Sequence, residues 1–283
     1  MSRWFRWLWD LCWLVRLTVL VPIGFACSCS AVLCGMEVHH MKTLLLTTAI
    51  ILLAGGGFVL NDINDKEKDC IAHSERPLPS GRISQSTAWL VCLFLFACSV
   101  CCGLSLRSTV VNMQLAAALA LVVSYSSVVK WAGPLKNIVT AGLAALPWTG
   151  PAALSGNWTS AAIPAVGSVL LVLSREILLD IRDVESDRIA GVRTLPVLLG
   201  CKKAAWLSAL LLLLVFLAIQ GFGIIEGYGP TFTTTVAIGI GLPTVLICWV
   251  LLRARRSKYL TLACHLGKLQ FVGGTFAWLL RAY

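Results

Sequence analysis

The sequence predicts an all-α integral membrane protein, and composition, hydropathy and the placement of charge all favour that class. Of its 283 residues, 58% are hydrophobic and 13% are charged, against about 25% charged in soluble domains. The mean hydropathy is +0.85. A water-soluble enzyme needs a more polar surface, and a disordered chain has fewer apolar residues and more charge. Both of those classes are therefore excluded.

Nine apolar stretches are long enough to cross a bilayer as helices, each of which needs about 20 mainly apolar residues. The predicted spans are 14–35, 43–60, 86–106, 109–129, 135–153, 160–181, 203–223, 232–252 and 264–281. The stretches are continuous and lack the alternation of barrel strands. Only two connections are long, 61–85 and 182–202. Residues 1–283 are expected to form a single transmembrane domain.

Basic residues predict the orientation of the chain. Lys and Arg number 23 against 13 Asp and Glu, a net charge of +10. Such an excess can indicate nucleic-acid binding, but in a membrane protein it marks cytoplasmic loops. With the N-terminus in the cytoplasm, the outer segments hold only Lys42, Arg107 and Arg281. Both long loops are then cytoplasmic, no nucleic acid is implied, and the aromatic and basic residues of 1–13 predict an interfacial segment.

Acidic residues are few, and ten of the thirteen lie in two stretches, 62–75 and 176–187. Each stretch adjoins the end of a predicted span, the second and the sixth. Helical spacing puts two sets on one side of their helices: Asn61, Asp62, Asp65 and Asp69 in the first stretch, and Glu176, Asp180, Asp183 and Asp187 in the second. Like charges at this spacing repel, so a compensating cation is expected.

Carboxylates without His or Cys favour a hard divalent ion, and Mg²⁺ shares its coordination shell with water and substrate phosphates. Two such stripes could hold two or more Mg²⁺ ions around a diphosphate, whose leaving charge the metal would stabilise. Cations that could bind the same anion are Arg182, Arg188, Arg193, Lys130 and Lys136. In a membrane this diphosphate would carry a lipid tail, and aromatic residues such as Tyr125 could stabilise an allylic cation.

Two alternatives do not involve catalysis. The acidic stretches could be ordinary solvated loops in which the acids balance nearby Lys and Arg. The chain could also be an ion carrier, although transport sites usually place acids near the middle of the membrane, whereas these acids lie at its rim.

The motifs resemble those of the UbiA superfamily of intramembrane prenyltransferases. Asn61-Asp62-x-x-Asp65-x-x-x-Asp69 resembles the first signature of that superfamily, and Asp183-x-x-x-Asp187 resembles the second. Residues 76–81, residues 191–200, and the segment that contains Tyr125, Lys130 and Asn137 resemble further family segments. The similarity extends from about residue 12 to the C-terminus.

The resemblance implies about nine transmembrane helices around a central cavity, with cytoplasmic cap loops after helices 2 and 6. It implies that Mg²⁺ is bound by Asn61, Asp62, Asp65, Asp69, Asp183 and Asp187. Tyr125 and Lys130 would contact the diphosphate or the reacting carbon. Together with the cations above, the expected substrate-binding set is Asn61, Arg76, Lys130, Asn137, Asp180, Arg182, Arg188 and Arg193.

The predicted function is the Mg²⁺-dependent transfer of a prenyl group from a polyprenyl diphosphate to an aromatic or lipid-alcohol acceptor. Arg175-Glu176-Ile177 is similar to members that prenylate glycerol-phosphate lipids and to some ring prenylases, so both acceptor classes stay open. The base could be Asp62, Asp180 or a substrate group. The alternatives are a terpene cyclase of the same superfamily and, from another class, a non-catalytic ion or lipid transporter. Membrane lipids are expected partners, and the sequence does not specify an oligomeric state.

Overall fold

The computed structural model describes residues 3–127, 133–254 and 257–281. All regular secondary structure in these ranges is helical. The helices are α1 (Arg3–Leu14), α2 (Leu17–Leu33), α3 (Met41–Asn64), α4 (Lys66–Ala72), α5 (Gln85–Ser105), α6 (Thr109–Ser127), α7 (Pro134–Leu143), α8 (Leu146–Ser155), α9 (Trp158–Arg182), α10 (Val184–Ile189), α11 (Leu195–Leu199), α12 (Cys201–Ile225), α13 (Pro230–Val236), α14 (Leu242–Trp249) and α15 (Ser257–Arg281). Two π-helical segments, Ala237–Gly241 and Val250–Ala254, follow α13 and α14.

Five stretches within the described ranges are long and apolar enough to cross a membrane: α3, α5, α9, α12 and the segment Pro230–Leu252. Two bent pairs, α1 with α2 and α7 with α8, raise the number to seven if each pair is one span. The prediction of an all-helical, multi-pass membrane protein is therefore confirmed. The count of nine spans is not, because α6 contributes only a shorter apolar helix and α15 is not among the candidate spans.

Two predicted spans contain breaks that hydropathy does not show. α1 and α2 meet at an angle of 55°, where Arg16 adopts a left-handed backbone conformation with φ of 55°. α7 and α8 meet at 42°, and Pro147 lies in the first turn of α8, where a proline costs no backbone hydrogen bond. α15 begins seven residues before the predicted start at 264, at Ser257.

The chain divides into two compact units, of which the first comprises residues 1–24 and 39–130. Its main contact is between α3 and α5, and glycines of α3 permit that contact. A Cβ atom on Gly56 would lie 2.6 Å from the ring of Phe96, and one on Gly57 would lie 3.0 Å from Val122 of α6. The buried Ser99 hydroxyl of α5 donates to the carbonyl of Ala49 at 2.8 Å, which fixes the register of the two helices.

The second unit comprises residues 25–38 and 131–283, and it is built on α9, which contacts α7, α8, α12 and α15. The hydroxyls of Ser174 on α9 and Ser208 on α12 each donate to the other residue's carbonyl, at 3.0 and 3.1 Å. Ile240 lies in the π-helical segment Ala237–Gly241. Its backbone carbonyl accepts a hydrogen bond from the side-chain amide of Gln270 on α15 at 3.2 Å. These buried polar groups are thus paired across the helix contacts.

Candidate functional site

Both acidic motifs have the same local backbone structure. Asp65 ends α3 with φ, ψ of −96°, 6°, and Asp183 ends α9 with −98°, 12°. A short helix follows each of them directly. The amide of Asp69 donates to the carbonyl of Asp65 at 2.8 Å, and that of Asp187 donates to Asp183 at 3.0 Å. Helical hydrogen bonding therefore continues through each junction, and the acids of each motif keep the spacing from which a stripe was predicted.

In the first motif, Asp62 and Asp69 are both buried, each with 4% of its surface exposed. The Arg76 guanidinium reaches the two of them: its Nη1 lies 2.6 Å from Asp69 Oδ2 and 3.7 Å from Asp62 Oδ1. Asp62 Oδ1 also accepts from Arg16 Nη2 at 2.6 Å. A buried carboxylate needs such a partner, because burial without one is costly.

The segment after the first motif holds Arg76 in place. The Ser80 hydroxyl donates to the carbonyl of Arg76 at 2.6 Å, and the amide of Ile83 donates to the carbonyl of Pro77 at 3.1 Å. Gly81 turns the chain with φ of 73°, a conformation that glycine adopts without strain. The stretch that resembles a family segment in the sequence therefore directs one guanidinium at the motif.

Burial raises the pKa of Asp69 above its ordinary value, and the neighbouring charges of Asp62 and Asp65 raise it further, while Arg76 lowers it. The ionised carboxylate is thus maintained at a cost in free energy. A cation bound at this position would recover part of that cost, as the guanidinium of Arg76 does.

Arg16 is a residue that sequence reasoning missed. Its guanidinium carbon lies 5.1 Å from the centre of the Phe58 ring. Phe58 precedes Asp62 by one helical turn on α3. The available signal was that Arg16 is the only charged residue in the predicted span 14–35. Intramembrane cations usually have an acidic partner, but the partner lies 46 residues away in sequence.

In the second motif, Arg182 binds Asp183 through two hydrogen bonds, Nε to Oδ1 and Nη2 to Oδ2, both of 2.7 Å. This fork-to-fork arrangement is the strong geometry for an Arg–carboxylate pair. Asp187 is buried. Arg188 lies at the surface and pairs with Glu185 at 3.5 Å, and the Arg193 side chain is also exposed.

Asp180, two residues before the end of α9, binds α7. Its Oδ1 accepts from Lys136 Nζ at 3.0 Å, and its Oδ2 accepts from Asn137 Nδ2 at 2.8 Å. Asp180 is 2% exposed and Asn137 is fully buried. The structure therefore brings together two predicted substrate-binding residues, Asn137 and Asp180, and Lys136, one of the cations predicted to bind the substrate anion.

Four predicted site residues provide less information. Asn61 and Asp65 are half-buried. Tyr125 belongs to α6, but its side chain lies outside the described residues, as does the whole of Lys130. Within the described parts of the chain, no group of three His, Cys, Asp or Glu side chains is close enough to hold a metal ion. The donors still suit Mg²⁺, since they are hard carboxylate oxygens and Asp62 and Asp69 already share one cationic group.

These features define a class, an all-helical multi-pass membrane protein with buried carboxylates at the ends of two long helices. The model of the UbiA prenyltransferase family matches residues 19–269. A digeranylgeranylglyceryl phosphate synthase of Methanothrix thermoacetophila is 34% identical over 206 residues, which are 70% of this chain and 74% of that protein. The chain belongs to the UbiA prenyltransferase family and is therefore a prenyl-transferring enzyme, as the resemblance in the motifs indicated.

Solved structures agree on the fold. The apo structure of a UbiA homologue from Aeropyrum pernix K1 has a TM-score of 0.75 and 22% identity, and the match covers 90% of this chain and 95% of that one. A homologue from Archaeoglobus fulgidus, bound to GPP and Mg²⁺, has a TM-score of 0.66 and 17% identity, with coverage of 96% and 99%.

Proposed function

We propose that this protein transfers a prenyl group from a polyprenyl diphosphate to the hydroxyl of a glyceryl phosphate lipid, with Mg²⁺ as cofactor and release of diphosphate. The observation that carries the proposal is the buried pair Asp62 and Asp69, which shares one cationic group in a lipid-embedded protein. The name of the Methanothrix relative supports the acceptor class. The GPP and Mg²⁺ bound by the Archaeoglobus homologue support the donor and the metal.

The residues proposed to hold Mg²⁺ are Asn61, Asp62, Asp65 and Asp69 of the first motif and Asp183 and Asp187 of the second. When bound, Mg²⁺ neutralises the charge that grows on the leaving diphosphate. Further charge is neutralised by donors from the protein: Arg76, Lys130, Arg182, Arg188 and Arg193. Arg76 already lies between two of the carboxylates, so it needs only a short side-chain movement to reach an anion bound there.

In the proposed reaction the bond between the allylic carbon and the diphosphate oxygen breaks, and diphosphate keeps the electron pair. The acceptor hydroxyl oxygen forms the new bond to that carbon and loses its proton. We assign Tyr125 to stabilisation of the allylic cation. Asp180 is a poor base, because each of its oxygens accepts a hydrogen bond, which leaves Asp62 or a substrate group to take the proton.

For the architecture we propose nine spans around a central cavity, in a single transmembrane domain over residues 1–283. The N-terminus and both acidic motifs are placed in the cytoplasm because the basic residues concentrate in those segments. Residues 1–13 are proposed to lie at the membrane interface: α1 exposes Trp4, Phe5 and Trp9 and also carries Arg6, a composition suited to the headgroup region.

One assay tests the function. Purified protein in detergent receives prenyl diphosphates of several lengths, Mg²⁺, and either a prenylated glyceryl phosphate or a hydroxylated aromatic acid, and mass spectrometry identifies the products. We expect diphosphate release that depends on the glyceryl phosphate lipid. Transfer to the aromatic acid alone would overturn the acceptor class. A terpene formed without acceptor would show a cyclase, and ion flux in liposomes without any diphosphate release would show a carrier.

A further inference from the structure

We propose that a buried polar cluster in the second unit, made of the bonded side chains Lys136, Asn137 and Asp180 together with Thr194 on the segment that lies against the start of α7, binds the prenyl acceptor and selects an alcohol that carries a phosphate group. This inference rests on the proposed function, and it assigns the cluster to the acceptor instead of the diphosphate donor. Asn137 and Asp180 thereby receive a specific role, and Lys136 and Thr194 become specificity residues.

Asp180 fixes the orientation of its two partners. Its carboxylate only accepts hydrogen bonds when ionised, and the Lys136 ammonium lies 3.0 Å from its Oδ1. The amide group of Asn137 must therefore present its nitrogen to Asp180 Oδ2, as it does at 2.8 Å. The oxygen of the same amide then has to point away from the carboxylate, so its direction is set by charge and not by free rotation.

The oxygen that points away is an acceptor in need of a donor. Asn137 is fully buried, and its Oδ1 makes no hydrogen bond with any residue that the structure describes. Buried acceptors are normally paired, and an unpaired one costs stability. A hydroxyl group of a bound ligand would supply the donor that Asn137 Oδ1 lacks.

Thr194 is a second buried polar group of this kind. It has no exposed surface, and its hydroxyl has no hydrogen-bond partner in the described ranges. Gly133, the residue before α7, adopts φ of 57°, and a Cβ atom there would overlap the carbonyl oxygen of Arg193. Glycine thus lets the segment that ends in Thr194 lie directly against the start of α7, the helix that carries Lys136 and Asn137.

The chemistry of the cluster specifies the ligand class. The Lys136 side chain is 19% exposed, and its ammonium and the Thr194 hydroxyl are donors suited to a phosphate, for which lysine acts as a point charge. Asn137 Oδ1 is suited to a hydroxyl. A ligand that satisfies all three groups carries both an anion and a hydroxyl, as a phosphorylated alcohol does.

Two variants test the cluster by steady-state kinetics. Lys136→Met removes the cation, and Thr194→Val removes the hydroxyl with little change of shape and without touching Asp180. Losing a hydrogen bond to a charged group is expected to raise the acceptor KM about tenfold or more, while the KM for the prenyl diphosphate changes by less than about twofold. The same acceptor without its phosphate should show no such difference between wild type and Lys136→Met.

Matched controls are available in the same unit. Lys203→Met removes an exposed cation from α12, and Thr140→Val removes a hydroxyl of α7 that bonds the carbonyl of Lys136 at 3.1 Å. Both controls should keep the wild-type acceptor KM. If Lys136→Met and Thr194→Val behave like these controls while the enzyme still turns over, the acceptor assignment is wrong and the proposed function stands.

A binding measurement separates the two proposals. Thermal unfolding in detergent is followed with a prenylated glyceryl phosphate and with the corresponding dephosphorylated alcohol. Stabilisation by the phosphorylated lipid in wild type, lost in Lys136→Met and Thr194→Val, supports the cluster even if no acceptor gives diphosphate release and the proposed function fails. Equal stabilisation of wild type and both variants would overturn the cluster.

Discussion

Single residues of the first motif depend on one guanidinium. Arg76 lies against both buried carboxylates, and the turn that follows it fixes its carbonyl. Asp62 has a second partner in Arg16, whereas the hydrogen bond to Asp69 Oδ2 at 2.6 Å comes from Arg76. Asp69 is therefore the acid whose environment should respond most to a change at position 76.

Replacing Arg76 by Gln is predicted to destabilise the protein because it leaves the Asp69 charge buried without its ion pair. A fully buried pair loses about 3–5 kcal/mol in this way, and we expect about 2 kcal/mol here because the Arg76 side chain is 24% exposed. The double variant Arg76→Gln, Asp69→Asn should recover part of the loss, since it also removes the charge. Denaturant titration in detergent measures the wild type and both variants.

The surface pair provides the control for that cycle. Arg188 and Glu185 are 64% and 80% exposed at 3.5 Å, so Arg188→Gln should change the free energy of unfolding by no more than about 0.5 kcal/mol. A loss of stability in Arg76→Gln as small as that in Arg188→Gln would contradict the structural account of Asp69.

The sequence predicts the acids of this site better than their partners. Asp62, Asp65 and Asp69 follow from local helical spacing and from the scarcity of other acids. The pairing of Arg16 with Asp62 and of Lys136 with Asp180 spans 46 and 44 residues. Such contacts depend on which helices pack together, and periodicity within a single helix carries no information about that choice.

At the scale of elements, the bends and irregular turns between helices determine where the functional side chains lie. Hydropathy predicts the positions of α3, α5, α9 and α12 to within a few residues, because the membrane imposes a length on each apolar run. It does not predict the bend at Arg16 or the π-helical turn at Ala237–Gly241. Those features depend on tertiary contacts, such as the hydrogen bond from Gln270 to Ile240 and the close approach of Gly239 to Gly273.

Two glycines with positive φ provide a matched pair of variants. Gly156 has φ of 84° and open space where a Cβ atom would lie, whereas Gly133 has φ of 57° and a Cβ atom there would overlap the Arg193 carbonyl. Alanine should cost about 1–2 kcal/mol at both positions through backbone strain. At Gly133 the overlap should add about 1–3 kcal/mol and displace the segment that carries Thr194.

Thermal stability and activity of these alanine variants are the measurements. Gly133→Ala is expected to lose both, and Gly156→Ala is expected to lose some stability while keeping its turnover per folded molecule. Equal losses of stability in the two variants would show that the 191–194 segment does not depend on close approach at Gly133.

At the scale of the whole molecule, the proposed reaction requires acids from both motifs. Asp65→Ala and Asp183→Ala are each predicted to abolish turnover while the protein still inserts in the membrane, because each variant removes a carboxylate proposed to bind Mg²⁺. Glu67→Ala and Glu185→Ala are the matched controls, since each lies two residues further on and is exposed. Retained activity in Asp65→Ala and Asp183→Ala would remove these carboxylates from the metal site.

The number of spans determines which side of the membrane each loop faces, and this makes the proposed topology testable. Nine spans with a cytoplasmic N-terminus place residue 185 in the cytoplasm and residue 226 outside. If only the seven candidate spans crossed, α6 would not reverse the chain before α7, and both positions would change sides. Residue 70 lies in the cytoplasm in either arrangement.

Cysteine labelling in intact cells distinguishes the two arrangements. Cys70, Glu185 and Glu226 are exposed, so three variants, each with a single cysteine at one of these positions, can react with a membrane-impermeant maleimide. We expect Glu226→Cys to be labelled from outside, and Cys70 and Glu185→Cys to react only after the membrane is permeabilised. Labelling of Glu185→Cys from outside would support seven spans and would separate the second acidic motif from the first across the membrane. A single Mg²⁺-diphosphate could not then contact both motifs, so this result would also refute the proposed reaction.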